Sequence, residues 1–167
     1  MEDNLTLKKL KEKFPDYVLD AAEFRDQVYV YVDKRGILEV LRYLRDDPEL
    51  SYDFLADLTA VDNLGKEPRF EVVYNLYSIE HKHRFRVKVP LAEDESVASC
   101  VDIWKTANWH ERETFDMFGI NFEGHPDLRR ILMPDDYPWH PLRKDFPLQG
   151  PEDVDYEEMM KKRIKSD

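Results

Sequence analysis

The sequence predicts an α+β fold: a largely antiparallel sheet packed with helices, followed by a long extended C-terminal tail. Segments of strand composition cluster in the middle of the chain, joined by short turn-like links. Helical periodicity appears before and after that cluster rather than alternating with it. After Gly119 neither period continues, although Phe122, Tyr137, Trp139 and Phe146 keep the chain aromatic to near its end. Disordered segments are poor in aromatics, so the tail is expected to be ordered against its own domain, another chain, or both. Residues 1–119 are read as the α+β domain and 120–167 as a partner-wrapping tail.

Leu5, Leu7, Leu10 and Phe14 lie among lysines as one face of a short helix, which Pro15 ends. Val18 is isolated and supports no more than a short strand. Gln27 to Val32 is apolar or aromatic almost throughout, a strand. Asp33 to Gly36 is turn-like, and Ile37, Val40, Leu41 and Leu44 then recur at helical spacing until Asp46-Asp47-Pro48. Strands are expected from about Tyr52 to Val61, from Phe70 to Ile79 and from His83 to Val89. In the last, Phe85, Val87 and Val89 alternate with Arg84, Arg86 and Lys88, giving one buried and one wet face. Short links make these antiparallel hairpins. From Ser96 the spacing of Val97, Val101 and Trp104 predicts a helix, broken near Ala107. A second helix follows, with Asn108 and Glu111 as a capping box and Gly119 as its left-handed C-terminal cap. Glu157–Lys161 and Glu158–Lys162 predict a short helix or frayed end over 153–167.

Of the 167 residues, 42% are apolar and 37% charged, with a formal net charge of −11. That balance suits a globular domain and disfavours nucleic acid or anionic lipid as direct partners. Apolar runs are only a few residues long, so any membrane contact is expected to come through partners. The N-terminus has no basic region followed by an apolar run, so no secretory signal is expected. Cys100 stands alone among Val97, Ala98, Val101 and Ile103. It reads as a small buried hydrophobe, and one thiol cannot hold an iron–sulfur cluster.

His110-Glu111-Arg112-Glu113-Thr114 lacks the second histidine of a zinc-binding helix. Glu111 and Glu113 point about 200° apart on a helix and cannot act as a catalytic pair. Glu111 is instead expected to close the capping box and Arg112 to pair with Asp116, with an interface as a second use for this charged helix. Arg129, Arg130, Arg143 and Lys144 concentrate positive charge in an acidic chain without any glycine-rich phosphate loop. Protein contact fits them better than phosphate. The prolines at 126, 134, 138, 141, 147 and 151 stiffen the tail and lower the entropy cost of docking. Tyr137, Trp139 and Phe146 could anchor on a partner or pack back on the domain.

Five blocks run in order through this region: Glu111-Arg112-Glu113, Asp116-Met117-Phe118-Gly119-Ile120, Gly124-His125-Pro126-Asp127-Leu128, Arg130-Ile131-Leu132 and Pro141-Leu142-Arg143-Lys144-Asp145-Phe146. Together they resemble the signature of the 30-kDa-type subunit (the C subunit) of NADH:quinone oxidoreductase, respiratory complex I. The resemblance implies a non-catalytic structural subunit of the peripheral arm that docks on the hydrogenase-like D subunit and neighbouring iron–sulfur subunits, near the quinone end. It implies no cofactor or metal on this chain, with flavin and iron–sulfur clusters on the partners. It also implies a peripheral position on the cytoplasmic side of the bacterial inner membrane, or the equivalent face of another energy-transducing membrane. The residues it assigns to docking are Glu111, Arg112, Glu113, Gly119, His125, Pro126, Arg130, Arg143, Lys144 and Asp145. Arg143→Glu is then expected to weaken assembly and leave the isolated fold intact. The alternatives are the equivalent subunit of a related membrane-bound dehydrogenase or hydrogenase with another electron donor, a stand-alone adaptor for acidic peptides, and a small enzyme using His110, His125 or His140.

Overall fold

A computed structural model describes residues 4–151 of the chain. Helix α1 (Leu5–Lys13) starts where the Asn4 side chain accepts the Leu7 amide at 3.0 Å, and it ends just before Pro15. Strands β1 (Val18–Phe24) and β2 (Gln27–Val32) form a hairpin, and a 3-10 turn (Lys34–Gly36) leads into α2 (Ile37–Asp46). Strands β3 (Phe54–Asp62), β4 (Phe70–Ser78) and β5 (His83–Leu91) follow, then short β6 (Val97–Ala98), α3 (Ala107–Phe118) and short β7 (Phe122–Glu123). The main sheet has five strands in the order β1-β2-β5-β4-β3. Every neighbouring pair in it is antiparallel except β2 with β5. The expected α+β class is thus what the chain adopts, with one parallel pairing inside the sheet.

Burial alternates along β5 as its sequence predicts: Phe85, Val87, Val89 and Leu91 are buried, whereas Arg84, Arg86, Lys88 and Pro90 stay accessible. The apolar faces of α1 and α2 complete the core on the buried side, with Leu7, Leu10, Val40, Leu41 and Leu44 almost fully enclosed. Each such side chain contributes about 1.5–3 kcal/mol on burial. Cys100 lies in the same core, where desolvation pushes its thiol far above the usual range, so it packs as a hydrophobe. Helix α3 runs beside edge strand β3, and the Thr114 hydroxyl reaches the Leu58 carbonyl at 3.4 Å. A helix laid along an edge strand covers backbone groups that would otherwise invite further pairing.

Three expectations are corrected. Strand β1 is a full strand, not an isolated valine. It is the opposite edge of the sheet, with Asp20 and Glu23 accessible, so it carries little apolar alternation. Its turn places Arg25 and Asp26 at φ 50° and 62°, the left-handed pair of a two-residue hairpin, without the Asn-Gly usual there. Second, residues 96–106 are not helical. Val97 and Ala98 pair in parallel with Phe122 and Glu123, and turns fill the rest. Val97, Val101 and Trp104 are buried as the spacing suggested, but through a turn-rich path. Third, α3 begins at Ala107 after Thr106, which makes no side-chain capping bond, so the Asn108–Glu111 capping box does not form. The stretch 153–167 lies outside the described residues.

Candidate docking site

The last turn of any helix leaves carbonyl oxygens without intrahelical partners. In α3 the cap residue closes the first of them, Gly119 N–H bonding to the Phe115 carbonyl at 2.8 Å. The tail supplies the next partners, with His140 Nδ1 donating to the Asp116 carbonyl at 2.9 Å. Leu142 N–H reaches the Met117 carbonyl at 3.1 Å, and Arg143 Nε reaches the Phe118 carbonyl at 2.6 Å. The guanidinium groups of Arg130 and Arg143 also sit where the helix dipole favours cations. The blocks after Gly119 therefore act first as a capping device for the helix that precedes them.

Gly119 is required twice over. Its φ of +75° is left-handed, and a Cβ there would lie 2.6 Å from His140 Nε2 and 2.7 Å from Arg143 Nη2. Gly119→Ala is expected to cost at least about 1–2 kcal/mol from backbone strain alone, with further loss from displacing the two capping side chains. A thermal melt of the purified chain checks this, and an unchanged midpoint would contradict the capping role.

Asp116 is the second fastening. Its carboxylate is fully buried and accepts Arg130 Nη1 at 2.5 Å and the amides of Ile131, Leu132 and Met133 at 3.0, 2.7 and 2.9 Å. Burial alone would raise its pKa. The bonds from Met133, Leu132, Arg130 and Ile131 outweigh that and hold it below the ordinary carboxylate range. The expected Arg112–Asp116 pair is absent because Asp116 is turned inward to this nest. Arg112 instead donates to the carbonyls of Arg129 and Arg130 at 3.1 and 3.0 Å, gripping the same loop from outside.

The third fastening ties the tail to the sheet. Arg69 lies at the β3–β4 hairpin, bonds Asp62 through Nε and Nη2 at 3.0 and 2.9 Å, and reaches Glu93 and Asp145 at 2.9 Å each. Asp62 also accepts the Lys144 amide at 2.8 Å, and Arg143 meets Glu93 at 3.1 Å. Arg69 and Asp62 are both buried. The bond from Arg69 is the main reason the Asp62 carboxyl is held low. Composition did not expose Arg69, since it lies far in sequence from the blocks it serves.

Glu111 has a different task from the one its spacing suggested. It is buried, accepting Ser99 Oγ at 2.6 Å and the Cys100 amide at 2.7 Å, and so fixes the turn between β6 and α3. Desolvation raises its pKa despite those bonds. A raised folded pKa means the stability it contributes is fully present below the unfolded value, about 4.3. That stability is lost as pH rises through the folded pKa. Glu111→Gln keeps an acceptor for Cys100 and removes the charge. It is expected to flatten the fall in melting temperature above about pH 4.5, whereas parallel pH curves for variant and parent would contradict this.

The histidines do not converge. His125 uses Nε2 toward the Asn108 carbonyl at 3.1 Å and accepts the Asp127 amide on Nδ1 at 3.0 Å. His140 is engaged as described, and His110 lies 3.6 Å from Asp57. Among the described residues, no group of three or more potential ligands is placed to hold a metal. Tyr137 is buried on the chain's own domain, with Trp139 edge-on at 5.3 Å.

Glu113, Pro126 and the Lys144 side chain remain exposed. Four large apolar side chains of the same region are exposed too: Trp109 at 71%, Leu132 and Leu142 at 54% each, and Leu148 fully. Trp109 and Leu132 line a groove of about 960 Å³ with Val101, Ile131, His110 and Glu113 among others. Its lining is mostly apolar, unlike the charged surface around it.

Residues 30–152 match the family model described as respiratory-chain NADH dehydrogenase, 30 Kd subunit. The chain is 56% identical over 156 residues to a protein of Citrifermentans bemidjiense named as the C subunit of NADH-quinone oxidoreductase, covering 93% of this chain and 96% of that one. Proteins of the same name from Geotalea uraniireducens and a Roseiflexus species are 52% and 55% identical, covering 93% and 91% of this chain and 94% and 88% of theirs. The clamped blocks, the fold that holds them and these similarities agree: the chain belongs to the family of the respiratory-chain NADH dehydrogenase 30-kDa subunit.

Proposed function

We propose that this chain is a non-catalytic, cofactor-free structural subunit of the peripheral arm of a proton-translocating NADH:quinone oxidoreductase, docking on the hydrogenase-like D subunit near the quinone site. The observation that carries the docking reading is the groove at Trp109 and Leu132. Arg112, Arg130, Arg143 and Asp145 are engaged within the chain, while Trp109, Leu132 and Leu142 beside them stay exposed. Exposed tryptophan in a concave apolar patch is the composition of an interface hot spot. The relatives' name, which makes each of them the C subunit of NADH-quinone oxidoreductase, supports the same assembly. The complex's reaction, NADH oxidation by flavin with clusters as relay to quinone, then belongs to the partner subunits. No helix among the described residues is long and apolar enough to cross a membrane. A peripheral place on the cytoplasmic face, reached through partners, follows from this reading.

Docking moves from the charged block residues to their apolar neighbours. Arg143 is unsuitable as a probe of assembly, because it caps α3 and lies over Phe70 with its guanidinium 5.3 Å from the ring. Lys144 and Trp109 are the better probes, since their side chains are exposed. Purification of the tagged chain from native membranes under mild detergent tests the proposal. The expected companions are the flavin, iron–sulfur, hydrogenase-like and membrane subunits. Recovery of the chain alone would overturn it.

A further inference from the structure

The sheet face away from the core carries a second concave surface. From the bulge in β3 across to β2, Gln27, Phe54, Asn75, Tyr77, Arg84 and Arg86 line a pocket of about 410 Å³. The pocket follows from register: Asn75 is opposite Arg86, Tyr77 opposite Arg84, and Phe54 opposite Tyr77, so these side chains share a face. Phe54 is 44% exposed and Arg84 is exposed beside the Tyr77 ring, 5.9 Å from its centroid.

Among the described residues neither Arg84 nor Arg86 has a carboxylate partner. Arg86 Nε donates to Asn75 Oδ1 at 2.8 Å, and Asn75 is held in turn by Asp57 at 3.3 Å. Its Nη2 makes only a long 3.4 Å contact to the neutral Gln27 amide. The neighbouring Lys88, by contrast, is matched by Glu71 at 2.8 Å. Arg86 is thus preorganised through one edge of its guanidinium while the forked edge is left for a ligand. Two arginines framed by aromatics, against the single carboxylate of Asp57 in the same lining, leave this pocket with an excess of positive charge in a chain of net charge −11.

We infer that this pocket docks a carboxylate-bearing segment of another subunit, seating an Asp or Glu between Arg84 and Arg86 with an apolar neighbour against Phe54 and Tyr77. Charge complementarity selects that occupant. An anionic membrane would be repelled by the acidic remainder of the chain. The pocket adjoins the Trp109 groove, since Asp57 in its lining lies 3.6 Å from His110 in the lining of the groove. This inference rests on the subunit reading above.

The test places a photo-cross-linking phenylalanine analogue at Tyr77, and separately at Trp109, in the full chain within native membranes. The expected result is an adduct from Tyr77 to an acidic segment of another subunit. That adduct should fall about tenfold or more in R84E/R86E, as loss of a close charge pair requires, while the Trp109 adduct persists. A Tyr77 adduct to a second copy, an adduct insensitive to R84E/R86E, or no protein adduct beside a strong one from Trp109 would overturn the inference alone. No adduct from either position would overturn the subunit reading and this inference with it.

Discussion

Asp116→Ala is expected to destabilise the chain by about 3–5 kcal/mol, the cost of leaving a buried ionic partner uncompensated. The carboxylate it removes satisfies Arg130 and three consecutive amides, those of Ile131, Leu132 and Met133. For a chain of this size each kcal/mol lowers the melting temperature by about 2–4 °C, so a fall of about 6–20 °C is expected. Asp116→Asn retains the shape and one acceptor but loses the charge, and should fall between the two. The pH dependence has a definite sign. Because the folded carboxyl is held below its unfolded pKa, its stabilisation is present above the unfolded value, about 3.9, and is lost as pH falls through the folded pKa. Melting curves between about pH 7 and pH 3 should therefore converge for parent and Asp116→Asn on the acid side. A constant difference across that range would contradict the assignment.

Arg69→Met is expected to have an effect of similar size, about 3–5 kcal/mol, with a different structural consequence. It leaves Asp62 buried beside the Lys144 amide with no cation, frees Asp145, and leaves Glu93 with Arg143 alone. The tail should loosen from the sheet at residues 143–146 before the domain unfolds. Limited trypsin cleavage after Arg143 or Lys144, followed by mass spectrometry, reads this directly. Coupling Arg69→Met with Asp62→Asn removes both members of the buried pair and should recover a substantial part of the loss, since the penalty lies in the unpaired charge. If the double variant is no more stable than Arg69→Met, the Asp62–Arg69 pair is not what fastens the tail.

The fold was legible in the sequence wherever local pattern decides it. Strands β3 to β5 alternate or run apolar and are joined by short turns, and α2 presents Ile37, Val40, Leu41 and Leu44 on one stripe. Gly119 could be placed as a left-handed cap because few residues other than glycine adopt that conformation. What escaped was set by distant partners. The β2–β5 pairing joins residues more than fifty positions apart, with no local mark. β1 lacked both apolar alternation and an Asn-Gly turn. The same limit applied to the site. Glu111 and Asp116 sit at spacings that suit a capping box and a helix ion pair, yet both turn into the protein. Their partners, Ser99 and Cys100 for one and residues 130–133 for the other, come from outside the helix. A fully buried nest of amides is worth more to a carboxylate than an exposed helix pair, which contributes about 0.3–0.5 kcal/mol. The family blocks are therefore dense in charge largely because they must bind one another. The exposed apolar side chains beside and within them, Trp109 and Leu132, carry no such internal role.

The most direct measurement is the recovery of assembled complex from native membranes carrying Trp109→Asp, set beside the melting temperature of the same purified chain. Trp109 is exposed and makes no fastening contact, so the chain's own stability should change by no more than about 0.5 kcal/mol. Recovery of the partner subunits should fall at least about tenfold, as expected when a hot-spot tryptophan is replaced by a charge. Unchanged recovery with an intact fold would contradict docking through this groove.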